Sequence, residues 1–139
     1  MNVKLSDIAD ALERSDVMQS FIDTKTGRVI VMGTDFDAEH KDDEAYPDAF
    51  QIEEEWERYV VLPNIYDDER AIMEDFAKNT GGEAGKHLLM ALKGHGGVPR
   101  FERAARKQGL YDTCANFFRM RLLEIARDWC EEYDVKYDE

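Results

Sequence analysis

The residue types that most often carry catalysis are sparse and scattered in this chain. Its three histidines are His40 in an acidic stretch, His87 near the start of a helical run and His95 between two glycines. No pair stands four positions apart, the spacing that sets two imidazoles on one helical face for a metal. Asp35-Phe36-Asp37-Ala38-Glu39-His40 has the alternating carboxylates of a calcium loop. His40, however, takes the sixth position, where an EF-hand turns on Gly, and the downstream Glu is missing. Neither a metal nor a cofactor is expected. Cys114 and Cys130 belong to one helical run, so their separation along it is about 24 Å, too far for a disulfide. Both read as reduced, small apolar core residues.

The segment best suited to hold an anion is Gly94-His95-Gly96-Gly97-Val98-Pro99 leading into a helix, because glycines let backbone N–H groups approach a phosphate. It follows a helix rather than a strand and matches neither the P-loop nor the dinucleotide fingerprint, so an inter-helix turn is the plainer reading. His95 would be its acid or base if a ligand bound there. Beyond it, Arg100, Arg103, Arg106 and Lys107 fall within about 120° at 100° per residue, opposite Phe101, Ala104 and Ala105. With His95 and Gly96 they form a candidate phosphate-binding set for RNA or DNA. The same cations could instead pair with the acidic part of their own chain.

Charge is unevenly distributed along the chain. Residues 1–85 carry 8 Lys+Arg against 22 Asp+Glu, residues 86–127 carry 9 against 3, and residues 128–139 carry 1 against 6, for a net −13. Such a balance repels nucleic acid at short range and attracts basic surfaces. The leading expectation is therefore a non-enzymatic regulatory or adaptor protein that binds a basic macromolecular partner, in the manner of a nucleic-acid charge mimic. Its candidate surface comprises Asp35, Asp37, Glu39, Asp42, Asp43 and Glu44 with Glu53, Glu54, Glu55 and Glu57. The basic face of residues 99–108 is the alternative, as an RNA- or DNA-binding surface.

The elements that must position these residues follow from periodicity. Ser6 is placed to cap a short helix burying Leu5, Ile8, Ala9 and Leu12. Phe21 to Asp23 and Arg28 to Met32, around Thr24-Lys25-Thr26-Gly27, read as a hairpin. Residues 34–48 read as a solvated acidic loop. A helical run over 51–58 turns Ile52, Trp56 and Tyr59 inward, and Val60-Val61-Leu62 before Pro63 reads as a third strand. The rest is helical: one helix opens at Asp67, Asp68 and Glu69 and buries Ile72, Met73 and Phe76, and a second spans Ala84 to Lys93. A third begins near Pro99, and a long one runs from Tyr111 to about Glu132. Cys114, Phe117, Phe118, Leu122, Ile125, Ala126 and Trp129 stripe that last helix. Arg121 within the stripe should reach Glu74 or Asp75.

At 139 residues, 43% of them hydrophobic, the chain fits one α+β domain. The expected architecture is a small antiparallel sheet of about three strands packed against a mainly helical C-terminal half. The acidic half is 1–63 and the helical half 64–139. No apolar run is long enough for a membrane span, and Met1 to Asp10 lack the layout of a signal peptide, so a cytoplasmic location is expected.

Ordered blocks in the C-terminal half, Arg70 to Phe76, Ala91-Leu92-Lys93-Gly94-His95-Gly96, Arg100-Phe101, Gly109-Leu110 and Glu124 to Glu132, carry a likeness to a known family. They resemble Uncharacterised Protein Family 0158 (UPF 0158). The match spans roughly Val60 to Val135, with a weaker likeness at Val3-Lys4-Leu5 and Thr24 to Ile30. This chain departs from the family pattern at Gly97-Val98-Pro99, where members carry an aromatic and a second arginine, and near Cys114, where they carry a Trp. The family has no assigned activity, so the resemblance implies kinship without a mechanism.

Overall fold

The computed structural model describes residues 2–13, 19–32 and 47–139. Asp35, Asp37, Glu39, His40, Asp42, Asp43 and Glu44 lie outside them. The fold is α+β: a three-stranded antiparallel sheet, a short parallel strand pair, and a mostly helical C-terminal half. The chain divides into two compact units, residues 1–65 with 122–139, and residues 66–121.

The first unit begins with β1 (Val3–Lys4), which runs directly into α1 (Leu5–Leu12). Lys4, in extended conformation, holds the N-cap position and makes no side-chain cap bond. Ser6 therefore sits inside the first turn and does not cap it. The reason is the pairing of Val3 with Tyr137 in β5 (Tyr137–Asp138), which keeps the backbone extended up to residue 4. The apolar face of α1 is buried as its spacing dictates, with Leu5, Ile8, Ala9 and Leu12 all at 2% exposure or less.

β2 (Gln19–Asp23) and β3 (Arg28–Met32) form the hairpin read from the sequence, paired from Gln19↔Met32 to Asp23↔Arg28. β4 (Tyr59–Val61) adds to the other side of β2, giving the order β3-β2-β4. Ile30, Ile52 and Tyr59 form a buried cluster over this sheet, with Phe21 and Met32 packed against it. Ile52 comes from α2 (Ala49–Glu54), whose N-cap Asp48 accepts a 2.8 Å hydrogen bond from the Gln51 N–H. Substituting such a cap by Ala typically removes about 1 kcal/mol.

The second unit holds α3 (Tyr66–Thr80), α4 (Gly82–Leu92), α5 (Gly97–Lys107) and the first half of α6 (Tyr111–Glu132). Met73, Phe76, Ala77, Leu88, Leu92, Phe101 and Ala105 make its core. α3 and α4 approach closely at Gly85, where a Cβ would stand 2.5 Å from the Ala77 carbonyl oxygen. Phe117 on α6 lies 5.5 Å from Phe76, ring centre to ring centre. Arg121 forms an ion pair with Asp75 at 3.4 Å, as its place in the stripe predicts, and its guanidinium lies 5.2 Å over the Phe117 ring. Within the first unit, the second half of α6 buries Leu122, Ala126, Trp129 and Cys130.

Candidate functional site

The acidic residues that follow α2 are positioned by a buried ion pair. Asp23, at the end of β2 and 4% exposed, accepts hydrogen bonds from Arg58 Nε at 2.8 Å and Nη2 at 2.7 Å. The Lys25 N–H donates to the same carboxylate at 3.0 Å. Arg58, together with this backbone donor, holds the Asp23 pKa down at about 2, against the opposing effect of burial. Arg58 in turn has its pKa raised by Asp23. Its carbonyl accepts from the N–H and hydroxyl of Thr24, and its guanidinium lies 5.2 Å over the Tyr59 ring. The segment between α2 and β4 is thereby pinned at Arg58 on one side and at Ile52 on the other.

Between these pins the chain turns outward. α2 stops at Glu54, Glu55 leaves helical geometry at φ −109°, ψ 40°, and the Arg58 N–H donates to the Glu55 carbonyl at 2.8 Å. Trp56 is therefore off the helical register that would have turned it inward with Ile52, and it is 69% exposed. Glu53, Glu54, Glu55 and Glu57 are also exposed. Glu55 pairs with Arg58 at 3.5 Å and accepts from Gln51 at 3.4 Å. Glu53, Glu54 and Glu57 have no partner among the described residues. Glu54, Glu55, Trp56, Glu57 and Arg58 line a shallow depression of about 320 Å³. The aromatic face set among carboxylates is the feature that helical periodicity concealed. Phe50, also 69% exposed, and Val61 at 49% add apolar surface on the same stretch of chain.

In the second unit, the Gly94–Gly97 segment is organised through its carbonyls. Arg70 Nη2 donates to the carbonyls of Leu92 and Gly94. Arg100 donates from Nε to Ala91 at 3.0 Å, from Nη1 to His95 at 2.7 Å, and from Nη2 to Lys93. Two guanidinium groups thus satisfy five consecutive carbonyls at the C-terminal end of α4, where the helix dipole is negative. Gly97 is required for this closure, since a Cβ there would lie 2.0 Å from the Leu92 oxygen. Arg100 is half-buried in this task and stands apart from the other cations of its helix.

The remaining predicted phosphate-binding residues are exposed: His95 and Gly96 in the loop, Arg103, Arg106 and Lys107 on α5. Arg106 stacks 4.0 Å over the Tyr111 ring. Arg103 and Lys107 have no partner among the described residues. Cys114 is half-buried and Cys130 buried; neither is bonded to another cysteine. Burial raises both thiol pKa values, that of Cys130 to about 11, which holds them as thiols at neutral pH. Among the described residues, no group of three or more His, Cys, Asp or Glu is placed to hold a metal ion, and no helix is long and apolar enough to cross a membrane. In comparisons with family models, curated proteins and solved structures, nothing matches the chain.

Proposed function

We propose that the protein is a cytoplasmic, non-enzymatic regulatory or adaptor protein that binds a basic macromolecular partner through the acidic surface around Trp56. The observation that carries this reading is the 69% exposure of Trp56 between Glu54, Glu55 and Glu57, with Arg58 already neutralised by Asp23. An indole face attracts Lys or Arg side chains by cation–π interaction, and the flanking carboxylates add directional hydrogen bonds. Large exposed aromatics of this kind act as anchors in interfaces, while rim charges set the rate and salt dependence of association. A segment rich in Arg and Lys, such as those that bind nucleic acid, meets both requirements.

The test is a titration with a defined probe, a synthetic peptide of eight alternating Arg and Ala residues, followed by intrinsic fluorescence. Quenching that weakens with added salt and is lost in a Glu54→Gln/Glu57→Gln double variant is the expected outcome. Trp56→Ala, which lacks the reporting indole, should abolish binding as read by the anisotropy of a labelled form of the peptide. Binding that survives both variants refutes the reading. A second reading, phosphate contact with RNA or DNA through Arg103, Arg106 and Lys107, is favoured by the exposure of all three on one helix. It requires a gel shift that Arg103→Glu/Lys107→Glu abolishes.

A further inference from the structure

A groove of about 510 Å³ lies between α3 and α4, wholly within the second unit. Its walls follow from helical spacing. Arg70 and Glu74 form one stripe of α3, Lys86, Leu89 and Met90 form one stripe of α4, and Lys93 follows at the C-cap of that helix. The floor is apolar: Leu89 is half-buried against the core of the unit, whereas Met90 is 69% exposed. The rim is mainly cationic. Lys86 pairs with Glu83 at 3.7 Å, both side chains being more than 70% exposed, an arrangement that leaves its charge available. Arg70 commits Nη2 to the Leu92 and Gly94 carbonyls and keeps Nε and Nη1 facing no acceptor among the described residues. Glu74 is the single acid. The lining itself thus carries three cations, Arg70, Lys86 and Lys93, against one acid, a local excess of positive charge in a protein whose net charge is −13.

We infer that this groove docks an acidic amphipathic helix of a protein partner. The stretch from Lys86 to Lys93 runs about 10 Å along α4, the length of two helical turns. That is the span over which a bound helix presents apolar anchors at i, i+3 or i+4, and i+7. Its apolar side chains rest on Leu89 and Met90, the latter a polarisable, unbranched side chain suited to adaptable packing. Carboxylates on its flanks meet Lys86, Lys93 and Arg70. Glu74 excludes a carboxylate from one position on the α3 side and so sets the orientation. This site is independent of the Trp56 surface and opposite to it in charge.

The test uses a fluorescein-labelled 14-residue synthetic helix with Leu at positions 3, 6, 7 and 10 and Glu on its flanks, and a counterpart with Lys for Glu. Fluorescence anisotropy with the full chain should show the acidic probe binding at least about tenfold more tightly than the basic one. Lys86→Glu/Lys93→Glu should weaken it by about tenfold, and Met90→Ser should weaken it independently while leaving the thermal melt unchanged. Equal affinity for the two probes, or an acidic probe indifferent to all three substitutions, overturns the inference. So does sedimentation showing a dimer that Met90→Ser dissociates, because the groove would then be covered by a second copy of the chain.

Discussion

Replacing Asp23 by Asn removes the negative charge and one of the two acceptor oxygens that fix Arg58 and, with them, loosens the path of the chain through Trp56. The carboxylate is 4% exposed and its pKa is lowered from 3.8 to about 2, chiefly by the hydrogen bonds from Arg58. At about 1.4 kcal/mol per pH unit, this shift corresponds to about 2 kcal/mol of folding stability at neutral pH. Because the folded-state pKa is the lower one, that stability is complete above pH 4 and disappears as pH falls through about 2. The unfolding free energies of the parent and the asparagine variant should therefore differ by about 2 kcal/mol or more at pH 7 and converge between pH 4 and pH 2. Urea titrations at several pH values, followed by the emission of the buried Trp129, measure both curves. Two curves that run parallel across this window would show that Asp23 titrates normally, and the pinning of Arg58 would have to be abandoned.

Three further outcomes follow from burial and close approach. Trp129 is 6% exposed and lies 5.1 Å from the Tyr133 ring, so Trp129→Ala should lower stability by about 3–5 kcal/mol, whereas Arg103→Glu and Lys107→Glu should stay within about 0.5 kcal/mol of the parent; thermal melts compare them. Gly97→Ala places a methyl against the Leu92 carbonyl and should destabilise the second unit by more than about 2 kcal/mol, read as a drop in the helical signal's midpoint. Cys130, with its thiol pKa pushed up to about 11, should react with a thiol reagent at pH 8 only at the rate of global unfolding; rapid labelling of the native protein would contradict its burial.

Local signals in the chain are read well wherever one element satisfies itself. The hairpin from Gln19 to Met32 is specified by β-rich runs and a short Gly-containing turn, and the helices from residue 66 onward by apolar residues at helical spacing and by the Gly and Pro residues between them. Contacts between distant residues mostly leave no such mark; Arg121, whose place in the α6 stripe points to Asp75, is an exception. Nothing near Asp23 announces Arg58, 35 positions on, yet that pair, with the Thr24 bonds to the Arg58 carbonyl, holds the chain just past the point where the helical pattern of 51–58 breaks. Arg100 has the spacing of a basic face, yet its guanidinium is taken up by three carbonyls, those of Ala91, Lys93 and His95, at and beyond the preceding helix end. Residue type and period assign a face; they do not count the acceptors waiting on it. The two-residue strand Val3–Lys4 is likewise too short to carry a period, and its partner Tyr137 is at the other end of the chain. The apolar stripe of α6 also runs unbroken past residue 121, where the two units divide, so periodicity gives no sign of that division.

The pairing of β1 with β5 has a consequence for the order in which the molecule assembles. The unit formed by residues 66–121 is continuous in sequence, and its helix contacts join neighbouring elements, so the entropy of loop closure is small and folding is fast. The other unit is discontinuous. Its first strand, Val3–Lys4, meets its partner only across more than a hundred intervening residues. During synthesis Val3 therefore waits, with its edge unpaired, until Tyr137 has been added, and the helical segment between them has ample time to close first. The late step is the search that joins the two ends, and folding of the helical segment shortens that search by replacing a long flexible loop with a compact body. Substitutions in the helical core should then slow the formation of a sheet pair to which they contribute no contact.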